Sequence, residues 1–188
     1  MTAGEVQRDE RDLIARARSG DREAFGELVW RHQDAVYTLA HRLVGPDLAP
    51  DVAQEAMIRA WRSIGGFRGD ASLATWLHRI TVNVAWTQRR RAARREARPL
   101  DEFLVDSGLP DERPGPERAG EMVDLRNALR WAIDRLTPGQ RAVVVLRDVY
   151  GWATDEVARE LGITRTTAKV RLHRARTRLR ALLEERGI

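Results

Sequence analysis

Between Thr164 and Arg180 the chain reads "TRTTAKVRLHRARTRLR", with Arg165, Lys169, Arg171, Arg174, Arg176, Arg178 and Arg180 as cations and no acid among them. Residues of this kind have three uses: a solvated helix face, a general phosphate-binding patch, or an element that reads bases. Lys and Arg donate well to guanine and Thr to several bases, while cations farther along such a helix meet phosphates. A second block, Arg89, Arg90, Arg91, Arg94 and Arg95, packs too many like charges together to be neutral decoration. Arg supplies 32 of the 33 basic residues, and its planar fork suits bidentate contacts to phosphates and bases.

Chemistry on a substrate finds no comparable support. Cysteine is absent, which excludes disulfides, thiolate metal sites and a cysteine nucleophile. The four histidines are scattered without metal-binding spacing, and the paired acids Asp111 and Glu112 sit in a Pro-rich stretch where no cleft can form. No Ser-His-Asp set, phosphate loop or Gly-rich fingerprint occurs. The reading is therefore no catalytic residue, no metal and no cofactor. No apolar run approaches the ~20 residues of a membrane span. The polar start "MTAGEVQRDERDL" is unlike a signal peptide, so a cytoplasmic protein is expected. The ending "LLEERGI" gives no expectation of an added regulatory domain.

The elements that must position these cations are helical, and the predicted fold class is all-α: two small helical domains joined by a flexible acidic linker. The charge distribution draws the boundaries. Residues 1–99 carry a net +4, residues 100–120 a net −4 and residues 121–188 a net +5, so two basic bodies flank an acidic connector, as for a polyanion held at two points. Pro99, Pro110, Pro114 and Pro116 with Gly108, Gly115 and Gly120 make that connector a helix-breaking linker. The domains are accordingly 1–98, 99–120 (linker) and 121–188.

In the first domain, Asp21 is a predicted N-cap. Phe25, Leu28, Val29, His32, Val36, Leu39, Ala40 and Leu43 follow at helical spacing as far as Gly45-Pro46. A second helix after Pro50 turns Ala53, Ala56, Met57, Ala60, Trp61 and Ile64 inward and Asp51, Gln54, Glu55, Arg59 and Arg62 outward. A third begins near Ser72, with Leu73, Trp76, Leu77, Ile80 and Val84 on its buried stripe and Thr75, Arg79, Asn83 and Trp86 elsewhere on its surface. In the second domain, Val123, Leu125, Leu129, Ala132, Ile133 and Leu136 are the apolar positions of one helix, closed by Thr137-Pro138-Gly139. "QRAVVVLRDVYG" follows; its Val143-Val144-Val145 suits a strand by propensity, but its shortness and helical framing keep it helical.

The last two helices give the cations a context. Thr154 is the predicted cap of a short helix with Asp155 and Glu156 in its first turn and Val157, Ala158 and Leu161 as its apolar side. Gly162 ends it, Ile163 packs, and Thr164 caps a second helix with Ala168, Leu172, Ala175, Leu179 and Leu182 as its apolar stripe. A short helix, a Gly-containing turn and a basic second helix form a helix-turn-helix, whose second helix enters the major groove by its N-terminal residues. This context weighs against a merely solvated face. A single such module binds weakly, so a second contact elsewhere in the chain is expected.

Two long stretches, "DVAQEAMIRAWRSIGGFRGDASLATWLHRITVNV" and "LTPGQRAVVVLRDVYGWATDEVARELGITRTTAKVRLHRARTRLRALL", make the chain resemble the extracytoplasmic-function (ECF) group of bacterial RNA polymerase sigma factors over nearly its whole length. The resemblance implies a promoter-specificity subunit with three partners: core RNA polymerase, promoter DNA both as duplex and as single strand, and a restraining anti-sigma protein. It implies that Asp51, Gln54, Glu55 and Arg59 dock on the polymerase's largest subunit. Phe67, Gly69, Asp70, Ala71, Arg79, Asn83 and Trp86 would hold the minus-ten element as melted strand with a flipped base. Arg165, Thr166, Thr167, Lys169, Val170, Arg171, His173 and Arg174 would read the minus-thirty-five element as duplex. By the same resemblance the acidic linker threads toward the RNA exit path. Ala168-Lys169-Val170-Arg171 departs from the family's usual pattern, with an apolar Val170 where a hydroxyl is common, and allows contact with a thymine methyl. The rival reading is a stand-alone helix-turn-helix regulator with a sensing N-terminal domain, which should show a pocket or a dimerising stripe.

Overall fold

A computed structural model describes the backbone of residues 3–95 and 120–187 and, within these, the side chains of residues 9–92 and 125–187. The predicted linker falls almost entirely outside the described residues. Among the described residues the protein is all-α, and the chain divides into two compact units, residues 1–88 and 89–188.

The N-terminal unit begins with a helix that the periodicity reading did not identify, α1 (Ala3–Arg18). Its apolar stripe is narrow: Leu13 and Ala17, four residues apart, are its buried side chains among the described residues. Gly20, at φ 97°, takes the left-handed conformation that ends α1. As predicted, Asp21 caps α2 (Arg22–Val44). Its Oδ1 accepts from the backbone N–H of Glu23 (2.9 Å) and Ala24 (3.0 Å). Its Oδ2 accepts from Arg16 Nε at 2.9 Å, so one carboxylate joins two helices. The N–H of Ala24, and then Arg16, hold the Asp21 carboxyl below the usual aspartate value.

Leu28, Val36, Leu39, Ala40 and Leu43 are buried along α2 as their spacing required. His32 is not a core residue: its Nε2 lies 2.9 Å from Glu10 Oε1, tying α2 to α1. Arg31 makes a second tie, donating to Asp9 Oδ2 (2.6 Å) and to Glu27 Oε1 (2.9 Å). Helix α3 (Ala49–Ser63) carries Pro50 in its first turn, where the missing N–H costs nothing. Its buried row, Val52, Ala56 and Ala60, is small, which lets α3 lie close to α2 and leaves Met57 and Trp61 only partly covered. A short 3-10 turn (Ile64–Gly66) and a loop lead to α4 (Leu73–Arg95). Ser72 Oγ accepts from Thr75 N at 3.2 Å as α4 starts. Thr81, Val82, Ala85 and Trp86 are buried as well as Leu73, Leu77 and Val84, so α4 is enclosed on more than one stripe. The hydroxyl of Thr81 is satisfied by donation to Leu77 O at 2.8 Å.

In the C-terminal unit, α5 (Gly120–Asp134) buries Ala128 and Ala132, with Leu136 just past its end. Leu125 and Leu129, expected in the core, are 49% and 41% exposed. The row one position over is made of alanines, which allow close approach to the last helix, and the leucines stand beside that contact. Helix α6 (Pro138–Val144) opens with a capping box, Thr137 and Gln140 each accepting the other's backbone N–H. Val143, Val144 and Val145 are helical and buried. The helix then widens into a π turn (Val145–Val149), with Tyr150 N donating to Val145 O at 3.0 Å, which the sequence reading did not foresee.

Helix α7 (Thr154–Leu161) corrects one cap. Ala153, not Thr154, stands at the N-cap position. The capping there comes from Glu156, whose Oε2 accepts the Ala153 N–H at 3.0 Å. Val157, Ala158 and Leu161 are buried and Gly162, at φ 65°, ends the helix. Thr164 caps α8 (Arg165–Glu184) as predicted, its Oγ1 accepting from Thr167 N at 3.0 Å. Ala168, Leu172, Ala175 and Leu182 bury one side of α8 against the rest of the unit.

Candidate nucleic-acid interface

Burying that stripe fixes what α8 can present. Thr166, Lys169, Val170, His173 and Arg174 are exposed at spacings of three and four, with exposed Arg165 beside them on the first turn. Thr167 and Arg171 turn aside and are half-buried; the Thr167 hydroxyl lies 2.8 Å from that of Thr164, so it serves the cap. Val170 is 42% exposed, an apolar side chain in the middle of a cationic surface.

Arg165 and Arg176 of α8 are each paired with an acid. Arg165 Nε lies 3.0 Å from Asp155 Oδ1 in the first turn of α7. Arg176 donates twice to Asp148 of the π turn, Nε to Oδ2 at 3.0 Å and an η nitrogen to Oδ1 at 2.6 Å. This bond raises the Arg176 guanidinium further above its ordinary value. The widened turn thereby supplies a carboxylate that steadies α8 at mid-length. Lys169 and Arg174, between the two pairs, have no ion-pair partner among the described residues.

The predicted single-strand residues of the N-terminal unit divide into two groups. Phe67, Gly69 and Ala71 line a cleft of about 380 Å³ between the 67–73 loop and α1, which also supplies Glu10, Arg11, Ile14 and Arg18. Arg79 and Asn83 stand exposed on α4, one turn apart, and are not among the residues lining that cleft. Phe67 is 7% exposed, its ring 5.3 Å from that of Trp76, so it stiffens the loop and offers no free face for stacking. Trp86, placed on the surface by the sequence reading, is buried, its indole N–H without a hydrogen-bond partner among the described residues, and a side chain so enclosed has no face for a base. Sequence reasoning missed the α1 contribution of Arg11, Ile14 and Arg18 because it assigned no helix before Asp21.

On the α2–α3 face, Asp51 and Gln54 are exposed, while Glu55 and Arg59 are half-buried and paired at 2.7 Å across one turn. Gln54 stands at an apolar groove of about 620 Å³ floored by Phe25, Val29, Met57, Ile58 and Trp61. Trp30 and Tyr37, two turns apart on α2, add exposed aromatic surface, Trp30 being 70% exposed. Their position off the apolar stripe was the available signal. Among the described residues no group of three or more His, Cys, Asp and Glu is placed to hold a metal ion. No described helix is long and apolar enough to cross a membrane.

Residues 28–95 match the family model for Sigma-70 region 2, and residues 126–179 that for Sigma-70, region 4. The ECF RNA polymerase sigma factor SigM of Mycobacterium tuberculosis (strain H37Rv) is 38% identical over 182 residues, 96% of this chain and 87% of that protein. The ECF RNA polymerase sigma-E factor of Escherichia coli (strain K12) is 34% identical over 169 residues, 87% and 88% of the two chains. Among solved structures, the sigma factor RpoE in complex with the anti-sigma factor NepR from Bartonella quintana superposes with a TM-score of 0.60. It is 26% identical, and the match covers 85% of this chain and 96% of that one. CnrH in complex with the cytosolic domain of CnrY gives a TM-score of 0.56 at 29% identity, over 94% and 98%. A cationic helix-turn-helix in one unit, a second helical unit with its own cationic cleft, and these matches across both units together show that the chain belongs to the ECF group of RNA polymerase sigma factors.

Proposed function

We propose that this sigma factor binds core RNA polymerase and brings it to a promoter class read at two points. The minus-thirty-five element is read as duplex by Arg165, Thr166, Lys169, Val170, His173 and Arg174 of α8, flanked by Thr167 and Arg171. The minus-ten element is held as melted strand by the 67–73 loop, including Asp70, together with Arg79 and Asn83. Asp51, Gln54, Glu55 and Arg59, beside the apolar groove, dock on the polymerase. An anti-sigma protein restrains the factor, a reading supported by the RpoE–NepR and CnrH–CnrY complexes. The protein works in the cytoplasm and contributes contacts, not catalysis.

The observation that carries this reading is the outer face of α8: five exposed groove-suited side chains at helical spacing on a helix fixed by a cap and a buried stripe. Reconstitution tests it. Purified protein and core polymerase should transcribe from promoters selected by the mixture from a randomised pool. Tight, specific duplex binding by the protein alone, with no transcription in the presence of core enzyme, would instead identify a stand-alone regulator.

A further inference from the structure

Of the 33 Lys and Arg residues in the chain, one is a lysine, Lys169. It stands exposed on the outer face of α8, with Thr166 about one turn before it and His173 about one turn after it, both exposed as well. No acid among the described residues pairs with its ammonium, whereas Arg165 and Arg176 on the same helix are each paired with one. Residues four apart on a helix are neighbours, their Cβ atoms roughly 5–6 Å apart, so the His173 imidazole stands within a side chain's reach of the amine. Nothing that holds α8 in place uses Lys169. The buried side is Ala168, Leu172, Ala175 and Leu182, the first turn is capped by Thr164, and the tie at mid-length runs from Arg176 to Asp148.

A guanidinium and an ammonium are alike as charges and unlike as reagents. The lone pairs of Arg are delocalised over a planar cation that keeps its proton, while a Lys that gives up a proton is a nucleophilic amine and a target of acylation. The other 32 cations are therefore closed to acyl donors, and the one side chain that is open lies on the face suited to the groove. We propose that Lys169 is an acylation site, modified by an activated acyl group carried as a thioester or an acyl phosphate, and that its acylation switches off reading of the minus-thirty-five element alone. The ammonium gives one proton to the His173 imidazole, and the amine attacks the acyl carbonyl. The C–N bond forms as the C–S or C–O bond to the carrier breaks. The thiolate or phosphate leaves with the bonding electrons and takes the second N–H proton, and the proton on His173 passes to water. The product is a neutral amide with one donor where the ammonium had three. A contact to guanine or phosphate is lost there while α8 stays folded. Arg79 and Asn83, assigned to the minus-ten element, offer no acylatable amine and keep their contacts. The inference rests on the reading of α8 as the reader of the minus-thirty-five element and adds a regulation of that face.

The test treats the full chain with acetyl phosphate in one arm and acetyl-CoA in the other, and follows labelling by peptide mass mapping with the α-amino group as internal reference. Lys169 should be acetylated in at least one arm, and the arm that labels it identifies the donor. His173→Ala should slow labelling of Lys169 several-fold and leave that of the α-amine unchanged; an equal rate overturns His173 as the base. With core polymerase and a promoter selected by the wild-type mixture, the acetylated protein should use the promoter roughly fivefold to a hundredfold less well than the untreated protein. On a promoter whose minus-thirty-five element is scrambled, acetylation should change nothing. Lys169→Gln should match the acetylated protein, and Lys169→Arg, whatever its starting activity, should lose none of it on treatment. A Lys169 left unlabelled while the α-amine reacts, or labelled with promoter use undiminished, overturns the proposal, as does an equal loss in treated Lys169→Arg. So does a Lys169 that is wholly unmodified in protein recovered from its native host in both growing and starved cells. Absence of promoter-dependent transcription by the untreated wild type removes the sigma-factor reading, whereas selective labelling of Lys169 in that case still supports the acylation site.

Discussion

Val170 has no packing role: the apolar stripe of α8 lies on the other side of the helix, and Val170 is 42% exposed between Lys169 and Arg174. On a face that meets the major groove, the natural partner for such a side chain is the thymine methyl. Replacing thymine by deoxyuridine removes that methyl alone. One buried methyl is worth ~0.8 kcal/mol, so wild-type binding should drop about fourfold at one position of the upstream element. The Val170→Ser protein should not respond to the same replacement. A wild type indifferent to every thymine-to-deoxyuridine change would remove this role for Val170. Lys169→Ala and Arg174→Ala should weaken promoters according to their upstream element, while Asn83→Ala acts through the downstream one; transcription from a panel of paired promoters separates the two. At this scale the sequence was informative where helical spacing decides exposure, as for Lys169 and Arg174. It misled where a ring could serve either side, as for Trp86, because burial of a Trp at a helix face depends on neighbours that periodicity does not include.

The cap and the clamp of α8 are properties of elements. Thr164→Ala removes the acceptor for Thr167 N and should cost about 1 kcal/mol. Hydrogen exchange at the first turn of α8 would then run about fivefold faster, with later turns less affected. Asp148→Ala releases Arg176 and deletes a nearby negative charge. The pair is half exposed, so the stability loss should stay below ~1 kcal/mol. Non-specific duplex binding, however, should gain salt dependence, the logarithmic slope steepening by about one. In the N-terminal unit, the capping carboxylate of Asp21 titrates below its ordinary value of 3.8 because the Ala24 N–H, then Arg16, favour its charged form. Its stabilisation is therefore complete above the ordinary value and lost as pH falls through the lowered one. Denaturation of wild type and Asp21→Asn should show a gap that is constant from pH 5 to 8 and closes only below about pH 3.8. The caps at Asp21 and Thr164 were legible because short polar side chains before an apolar-periodic run have few other uses. The shift from Thr154 to Ala153, the π turn after Val144 and the leucines displaced from α5's contact were not. Each depends on which of two adjacent registers packs better, a tertiary matter.

At the scale of the whole chain, net charges of +4 and +5 on either side of an acidic segment pointed to two sites on one polyanion before any helix was placed. The matches to region 2 and region 4 of Sigma-70 fall at residues 28–95 and 126–179. The acidic segment itself could be recognised only by composition, since charge and proline content say what a segment avoids and not where it lies. If each unit reads its own element, their contributions to promoter binding are independent, because residues with no shared partners have effects that add within ~0.5 kcal/mol. The test is a double-mutant cycle on open-complex formation with Lys169→Ala, Asn83→Ala and the combination. The combined loss should equal the two single losses within that margin on a promoter carrying both elements. On a promoter whose upstream element has been scrambled, Lys169→Ala should cost little while Asn83→Ala keeps its full effect. A coupling well above ~0.5 kcal/mol would mean that the two elements are read as one footprint, and that changing either contact alters how the other is made.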